Sequence, residues 1–292
     1  MSENVLHNIR VTLDMIKWEH SFLTLPFGLT GAVLAANGIP SLRTLGWICV
    51  AMVAARSAAM AFNRLVDAEI DALNPRTATR ALPAGLLTRR FVLGFTVAAG
   101  ALLLFAAWHL NPLAFRLSPL ALLIVCAYSY SKRFTRWAHL FLGLAMGIAP
   151  AAAWIAVRGT LDPRILIVTA AVIFWGGGFD ILYSCQDWQY DVASGLHSIP
   201  RAFGIAGALR LSRLFHLIAF ACFVGMLFSF GLGAVATAGV IVTGAALFYE
   251  HTLVRADDLS EINAAFFTTN GFISMLILLA VAVDRVLQSH RG

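Results

Sequence analysis

Long apolar runs, separated by short polar segments, restrict what this chain can fold into. Each run has about 18 to 23 residues, and an α-helix needs about 20 apolar residues to cross a hydrocarbon core of roughly 30 Å. A backbone in lipid must satisfy its own hydrogen bonds, so continuous runs predict helices, whereas a membrane β-barrel would show short alternating segments. The chain is 60% hydrophobic and 12% charged, about half the charged fraction of a soluble domain. We therefore predict an all-α polytopic membrane protein.

The runs predict nine transmembrane helices in one domain that covers residues 1–292. The predicted spans are 21–38, 44–66, 91–109, 114–131, 138–157, 164–183, 210–230, 233–251 and 264–284. The first twenty residues, MSENVLHNIRVTLDMIKWEH, are mixed and charged, unlike a cleavable signal peptide. They predict an amphipathic segment that lies at the membrane interface.

The basic residues predict the orientation of the spans. With the N-terminus in the cytosol, fourteen lysines and arginines lie on the cytosolic side and six on the other, with Arg56 inside a span. Cytosolic loops carry such an excess, so we expect the N-terminus inside. The basic tail DRVLQSHRG counts mildly against a C-terminus outside and makes the ninth span the least secure. The long loops, 67–90, 184–209 and 252–263, then all face the cytosol, and we expect the active site there, in the cell (inner) membrane.

Two clusters of acids stand at the cytosolic ends of the second and sixth spans. Asn63, Asp67 and Asp71 are spaced i, i+4, i+8, and Asp187 and Asp191 repeat the i, i+4 spacing. Residues four apart share a helix face, so each cluster points into one space. The repetition hints at two related four-helix halves plus one helix. Solvated helix ends are the alternative interpretation, and it is weaker for two matching clusters than for one.

Basic residues follow each cluster, and together they predict a site for a metal-bridged diphosphate. Carboxylate oxygens are ligands that Mg²⁺ prefers, often together with substrate phosphates. Arginines bind phosphate oxygens in pairs. Arg76 and Arg80 follow the first cluster, His197 and Arg201 follow the second, and Lys132 and Arg133 end the fourth span in YSYSKRF. Positive-inside anchoring is the alternative explanation for the basic residues.

Two further polar residues lie deeper in the spans. Arg56 comes seven residues before Asn63, on the same face, and Asp180 comes seven residues before Asp187. An arginine inside a membrane span is costly and normally faces the protein interior with a partner. Arg56 is therefore a candidate for substrate binding, or for a structural ion pair with Asp180.

The motifs in their order resemble the UbiA family of intramembrane polyprenyltransferases. The resemblance rests on NRLVDAEID, NPRTATRALPAG, YSYSKRF, DILYSCQDWQYD and HSIP, and it covers nearly the whole chain. The family's first motif is N-D-x-x-D-x-x-x-D, and Arg64 stands here in place of its second residue. KWEH and the NR variant resemble the 4-hydroxybenzoate polyprenyltransferase-like branch, which includes relatives from the futalosine route to menaquinone.

This resemblance implies a fold and an activity. The fold is nine transmembrane helices around a central cavity, capped by cytosolic loops. The activity is Mg²⁺-dependent transfer of a polyprenyl chain from polyprenyl diphosphate to a small aromatic acid, first of all 4-hydroxybenzoate, in ubiquinone or menaquinone biosynthesis. Naphthoate, haem, chlorophyllide, glycerol phosphate and a futalosine-route aromatic remain alternative acceptors.

The resemblance also implies residue roles. Mg²⁺ would be held by the two acid clusters, Asn63, Asp67, Asp71, Asp187 and Asp191, and the diphosphate by Arg76, Arg80, Lys132 and Arg133. Arg56 would bind the acceptor carboxylate and Asp180 would orient or deprotonate the acceptor. An allylic cation benefits from aromatic faces, for which Tyr130, Tyr183 and Trp188 are candidates.

Other classes of protein fit the sequence less well. A cation-coupled transporter would place its acids near the bilayer midplane, whereas these lie at one interface. A non-catalytic lipid-binding protein would not need two metal motifs, although Arg64 leaves some room for one. Neither nucleic-acid binding nor an obligate protein partner is indicated, and the four scattered cysteines do not form a zinc or disulfide pattern.

Overall fold

The helices of the protein follow its apolar runs. The structure is a computed structural model that describes residues 2–18 and 21–290, so Glu19 and His20 of the KWEH motif lie outside the described residues. The helices are α1 (Ser2–Ile16), α2 (Ser21–Ala36), α3 (Leu42–Leu73), α4 (Arg89–Leu110), α5 (Pro112–Ala127), α6 (Ala138–Arg158), α7 (Ile165–Ser184), α8 (Trp188–Ser194), α9 (Ile199–Phe230), α10 (Ala234–Leu253) and α11 (Asn270–Ser289). A 3₁₀ turn follows α5 at Tyr128–Arg133, another follows α7 at Cys185–Asp187, and a π-helical segment, Ala264–Thr269, precedes α11.

Eight helices of the described chain are long and apolar enough to cross a membrane, beginning with α3. The first predicted span corresponds to α2, which has only 16 residues and is therefore about 24 Å long at 1.5 Å per residue. Large apolar side chains such as Leu123, Phe228 and Phe248 are exposed on the outside of the bundle, where lipid would cover them. The predicted all-α, multi-pass membrane architecture is confirmed.

Helix α3 runs seven residues beyond the predicted end of its span, to Leu73. Ser41 caps its N-terminus, where the serine hydroxyl accepts a hydrogen bond from the amide of Thr44 at 3.2 Å. The polar residues of its last two turns find partners within the protein, so α3 stays helical where the apolar run ends. This extension carries Asp67 and Asp71 on the helix itself.

Small residues bring the central helices close together. Gly143 of α6 faces α7, where a Cβ atom would overlap the carbonyl oxygen of Ile173. Gly178 of α7 faces α9, where a Cβ atom would overlap the ring of His216. Close backbone approach at small residues is how membrane helices gain packing contacts. It places α7, and with it the second acid cluster, in the middle of the bundle.

An aromatic core joins α2, α7 and α9 behind the site. Phe27 contacts Trp175 edge-on, with ring centroids 4.8 Å apart, and stacks on Phe223 at 5.8 Å. All three side chains are fully buried. Because α2 packs through these rings, the short first span is a structural part of the bundle.

Buried polar contacts explain the charged end of α11. Asp284 accepts hydrogen bonds from the amides of Gly233 and Ala236, at 2.7 and 3.3 Å, at the N-terminus of α10. Arg285 donates to the carbonyl of Phe230 and is buried. Arg285, which belongs to the basic tail that counted against the ninth span, therefore stabilises the C-terminal end of α9.

Helix α1 matches the predicted amphipathic segment. Val11, Met15 and Ile16 are buried, and they cluster with residues of α3, of the loop that follows it and of α4, such as Ala61 and Val92. On another side, Ile9 and Leu13 are exposed. This helix lies beside the mouth of the cavity described next.

Candidate active site

The two acid clusters open into one polar cavity of about 670 Å³. Its acids come from α1, α3, α7, the 3₁₀ turn after α7 and α8, and its cations come from the end of α1, from α3, from the loop after α3 and from the 3₁₀ turn after α5. The acids on its wall are Asp14, Asp67, Asp71, Asp180, Asp187 and Asp191, and the cations are Lys17, Arg56, Arg64, Arg76, Arg80, Lys132 and Arg133. The structure thus brings together twelve of the fourteen predicted site residues, all except Tyr130 and Trp188.

Within the first cluster, each acid has a defined partner. Asn63 donates a hydrogen bond to Asp67 Oδ2 at 2.8 Å. Arg80 places Nη1 2.7 and 2.8 Å from the two carboxylate oxygens of Asp71. Arg133 lies 3.7 Å from Asp67 Oδ1 and donates to the carbonyl of Val66 at 2.6 Å. Asp67 therefore remains the more open acid of this cluster, with 22% of its side chain exposed.

The second cluster is tied to the loop after α3. Arg76 binds Asp187 bidentately, from Nε to Oδ1 at 2.8 Å and from Nη2 to Oδ2 at 2.7 Å. Asn74 donates to the same carboxylate at 3.5 Å. Burial alone would lower the pKa of Arg76, but the hydrogen bonds and charge of Asp187 outweigh it and raise that pKa. The guanidinium stays charged at any physiological pH.

A magnesium ion fits the donor set of this cavity. Asp191 is buried, and among the described residues its Oδ2 atom has no hydrogen-bond partner. In the described chain, no three acidic, imidazole or thiol side chains converge as a ready-made metal cage. Mg²⁺ in phosphate sites commonly takes only one or two carboxylates together with substrate oxygens. Asp67 and Asp191 are the acids best placed for that role, since Asp71 and Asp187 are engaged by arginines.

Asp180 is paired with a residue that the sequence analysis did not select. Its Oδ2 lies 2.7 Å from Nδ1 of His139, which is fully buried in α6. The Nε2 atom of His139 lies 3.4 Å from the amide of Ile199, the first residue of α9. If Nε2 accepts that hydrogen bond, Nδ1 carries the proton and donates to Asp180. His139 then donates a hydrogen bond that holds the Asp180 carboxyl group at the cavity.

Aromatic side chains form one wall of the cavity. Tyr183 lies 4.3 Å from Phe266 between ring centroids, and Phe266 meets Phe179 edge-on at 5.0 Å. All three line the cavity. Of the aromatic candidates from the sequence, Tyr183 is at this wall, whereas Tyr130 and Trp188 are not among the cavity-lining residues of the described chain.

An apolar cavity of about 330 Å³ adjoins the polar one. Leucine, isoleucine, methionine and alanine side chains of α2 to α6 line most of it. The two cavities share Arg56, Met60, Tyr128, Leu142 and Met146. Arg56 therefore lies where the polar cavity meets the apolar cavity.

Four residues of the site were missed or underrated in the sequence. Arg64 was noted only as a missing acid, whereas it is buried with Nη1 3.9 Å from Asp71 Oδ2. Asn74 and Phe266 carried no distinctive sequence signal. A signal did exist for His139, since an ionisable residue inside a span is a candidate functional residue.

The chain is similar in sequence to known proteins over most of its length. The UbiA prenyltransferase family matches residues 24–276. A 4-hydroxybenzoate octaprenyltransferase of Vibrio cholerae is 29% identical over 261 residues, which cover 88% of this chain and 89% of the relative. The enzyme of the same name from Saccharophagus degradans is 28% identical over 256 residues, 87% of this chain and 84% of the relative.

Solved structures agree with the fold. A UbiA homologue from Aeropyrum pernix superposes with a TM-score of 0.80 at 30% identity, covering 93% of this chain and 98% of the homologue. A homologue from Archaeoglobus fulgidus, bound to GPP and Mg²⁺, superposes with a TM-score of 0.74 at 21% identity, covering 94% and 99%; at that identity the likeness concerns the fold alone. The protein belongs to the UbiA prenyltransferase family.

Proposed function

We propose that this protein transfers a polyprenyl chain from its diphosphate to an aromatic acid, with 4-hydroxybenzoate as the first acceptor, in ubiquinone or menaquinone biosynthesis. The observation that carries the proposal is the junction of the two cavities. One chamber offers carboxylates and arginines for a metal-bridged diphosphate, the other offers apolar surface for a prenyl chain, and Arg56 stands between them.

The diphosphate would be held by the cations that now bind the acid clusters. Arg76 and Arg80 present forked donors, whose geometry suits phosphate oxygens as well as carboxylates. When they turn to the diphosphate, Asp187 and Asp71 are released as further oxygen ligands beside Asp67, Asp191 and Asn63. Mg²⁺ bound there would neutralise the negative charge that develops on the leaving diphosphate. Lys132 and Arg133 line the same cavity and would add charge stabilisation.

The prenyl chain would lie in the apolar cavity, which buries it away from water. Departure of the diphosphate leaves an allylic cation, which water would capture in an open site. Tyr183 and Phe266 line the cavity and would stabilise positive charge, and the surrounding apolar side chains exclude water.

The acceptor would enter at the junction. Arg56 would bind its carboxylate, and the Asp180 carboxylate, held by His139, would orient its hydroxyl group or take up a proton. The aromatic ring attacks the cation through carbon and then loses a proton, which restores its aromaticity. The names of the Vibrio cholerae and Saccharophagus degradans relatives support 4-hydroxybenzoate as acceptor, and the ligands of the Archaeoglobus fulgidus homologue support Mg²⁺ with a prenyl diphosphate.

We also propose that the site faces the cytosol, in the cell's inner membrane. The excess of basic residues on the side of the acid clusters supports this orientation, and it would give the site access to water-soluble acceptors.

The test is an assay on the purified protein in detergent. Geranyl diphosphate and longer polyprenyl diphosphates would be supplied with Mg²⁺ or EDTA and with a panel of acceptors led by 4-hydroxybenzoate. Mg²⁺-dependent formation of prenylated 4-hydroxybenzoate is the expected result. Product only with another acceptor, such as a futalosine-route aromatic, would refute the acceptor assignment and keep the reaction. No turnover of any donor would refute the proposed function.

A further inference from the structure

Arg64 connects the acid cluster to the N-terminal helix. On one side, its Nη1 atom lies 3.4 Å from Asn63 Oδ1 and 3.9 Å from Asp71 Oδ2. On the other side, its Nε donates to the carbonyl of Met15 in α1 at 3.3 Å. The side chain is 6% exposed, so all of these contacts are made in a largely water-free space.

The carbonyl that Arg64 binds belongs to the last turn of α1. Carbonyls of a last turn have no partner within their own helix, and cations are favourable at that end. The last turn of α1 carries no basic residue of its own. Arg64, which is 49 residues away in the chain, supplies the missing donor. An aspartate, which the family motif has at this position, could not donate to a carbonyl and would face the negative end of the helix.

Helix α1 forms part of the wall of the polar cavity. Val11, Asp14, Met15 and Lys17 line it. Asp14 and Lys17 are exposed, whereas Met15 and Ile16 are buried. The helix therefore separates the acid clusters from solvent, and its displacement would open the diphosphate site to water.

We propose that Arg64 is a positioning residue that holds α1 closed over the site, and that this closure protects the allylic cation from hydrolysis. The second part rests on the proposed function. Without the closure, water attacks the cation carbon and loses a proton to give a prenyl alcohol, while diphosphate leaves as in the transfer reaction. The measurable quantity is the ratio of prenyl alcohol to prenylated acceptor.

Three variants test whether Arg64 acts by holding α1 in place or only through its contacts with the acid cluster. Arg64→Ala removes the contacts to α1 and to the acid cluster together. Ile16→Ser loosens α1 but leaves the acid cluster intact, because Ile16 packs in the buried cluster with Ala61 and does not line the cavity. Arg89→Ala is the matched control, since Arg89 forms an exposed pair with Glu69 at 3.2 Å outside the cavity.

Two readouts are needed, one of them independent of activity. The first is the alcohol-to-product ratio with geranyl diphosphate, 4-hydroxybenzoate and Mg²⁺. The second is amide hydrogen exchange over residues 9–16 in the protein without ligands. Losing a hydrogen bond from a buried charged donor shifts an equilibrium by about ten-fold or more. We therefore expect both readouts to increase about ten-fold in Arg64→Ala and in Ile16→Ser. The double variant should show no larger increase than the single variants, and Arg89→Ala should show none.

Several results would overturn the proposal. Unchanged exchange of α1 in Arg64→Ala would show that Arg64 does not hold the helix, even if the product ratio changed. Additive effects in the double variant would show that the two residues act separately. If Arg64→Ala does not fold, Ile16→Ser decides alone, and an unchanged ratio in that variant refutes the protective role. If the wild type forms no prenylated acceptor, the proposed function fails, while the exchange experiment still tests whether Arg64 holds α1.

Discussion

Replacing Arg76 by alanine should make the stability of the protein depend on magnesium. In the structure, Arg76 neutralises Asp187 through two hydrogen bonds of 2.8 and 2.7 Å. The Asp187 side chain is only 10% exposed. The substitution leaves a buried carboxylate that keeps, among the described residues, a hydrogen bond from Asn74 at 3.5 Å and the charge of Lys132. A divalent cation can replace the lost charge, so its binding should become favourable even before the diphosphate arrives.

The loss of stability expected for Arg76→Ala lies between two limits. Breaking a fully buried ion pair by removing one partner costs about 3–5 kcal/mol, whereas an exposed pair contributes about 0–1 kcal/mol. Because 35% of the Arg76 side chain is exposed, we expect a loss of about 1–3 kcal/mol in the free energy of unfolding without metal. Mg²⁺ at 100 times its dissociation constant would restore about 2.7 kcal/mol.

Equilibrium unfolding in detergent, followed by circular dichroism across a Mg²⁺ titration, tests this prediction. The wild type should gain less from Mg²⁺ than Arg76→Ala, because Arg76 competes with the metal for Asp187. Arg89→Ala, which breaks the exposed pair with Glu69, should behave like the wild type. If Arg76→Ala is as stable as the wild type without metal, or gains no more from Mg²⁺, the idea that Arg76 stands in for metal charge is refuted.

Three further predictions concern the acids, the acceptor and the packing. Asp67→Asn and Asp191→Asn should each abolish prenyl transfer while the circular dichroism spectrum stays native, and retained activity in both would exclude a metal site that uses both clusters. Arg56→Ala should raise KM for 4-hydroxybenzoate by about ten-fold or more, because losing a charge-assisted hydrogen bond weakens binding by about that factor, while KM for the prenyl donor should change little. An equal rise in KM for both substrates would contradict the assignment of Arg56 to the acceptor. Gly143→Ala should destabilise the protein by about 1–3 kcal/mol, because its Cβ would overlap the carbonyl of Ile173, and an unchanged unfolding midpoint would show that α6 can move away from α7.

Much of the fold could be predicted because lipid imposes one rule on the backbone. The apolar runs had to become helices, and their lengths placed the spans to within a few residues in most cases. The main differences arose at polar ends. Helix α3 continues to Leu73, and α9 begins at Ile199, whereas the predicted spans end at 66 and begin at 210. Hydropathy locates the membrane boundary, but it does not report the hydrogen bonds that carry a helix beyond it.

The N-terminal part of α9 also differs from the predicted span, because local capping and backbone geometry shape it. Ser198 caps the helix through a hydrogen bond from the amide of Arg201 at 3.3 Å, and Gly204 interrupts it with a φ of 68°. This left-handed conformation suits glycine, which lacks a Cβ. The sequence HSIPRAFG contains both signals, a capping serine and a glycine, but hydropathy does not show that they belong to two helical segments that meet at a kink at Gly204.

The sequence by itself determined which acids share a face, because the i, i+4 spacing of Asp67 and Asp71 has one meaning on a helix. It did not determine their partners. Arg76 binds Asp187, 111 residues away, because the bundle brings the loop after α3 beside the 3₁₀ turn after α7. Arg64 binds Met15 because α1 packs on α3. Local spacing depends on the geometry of one helix, whereas a buried charge must find its counter-charge among whichever helices pack beside it, and only the tertiary structure decides which they are.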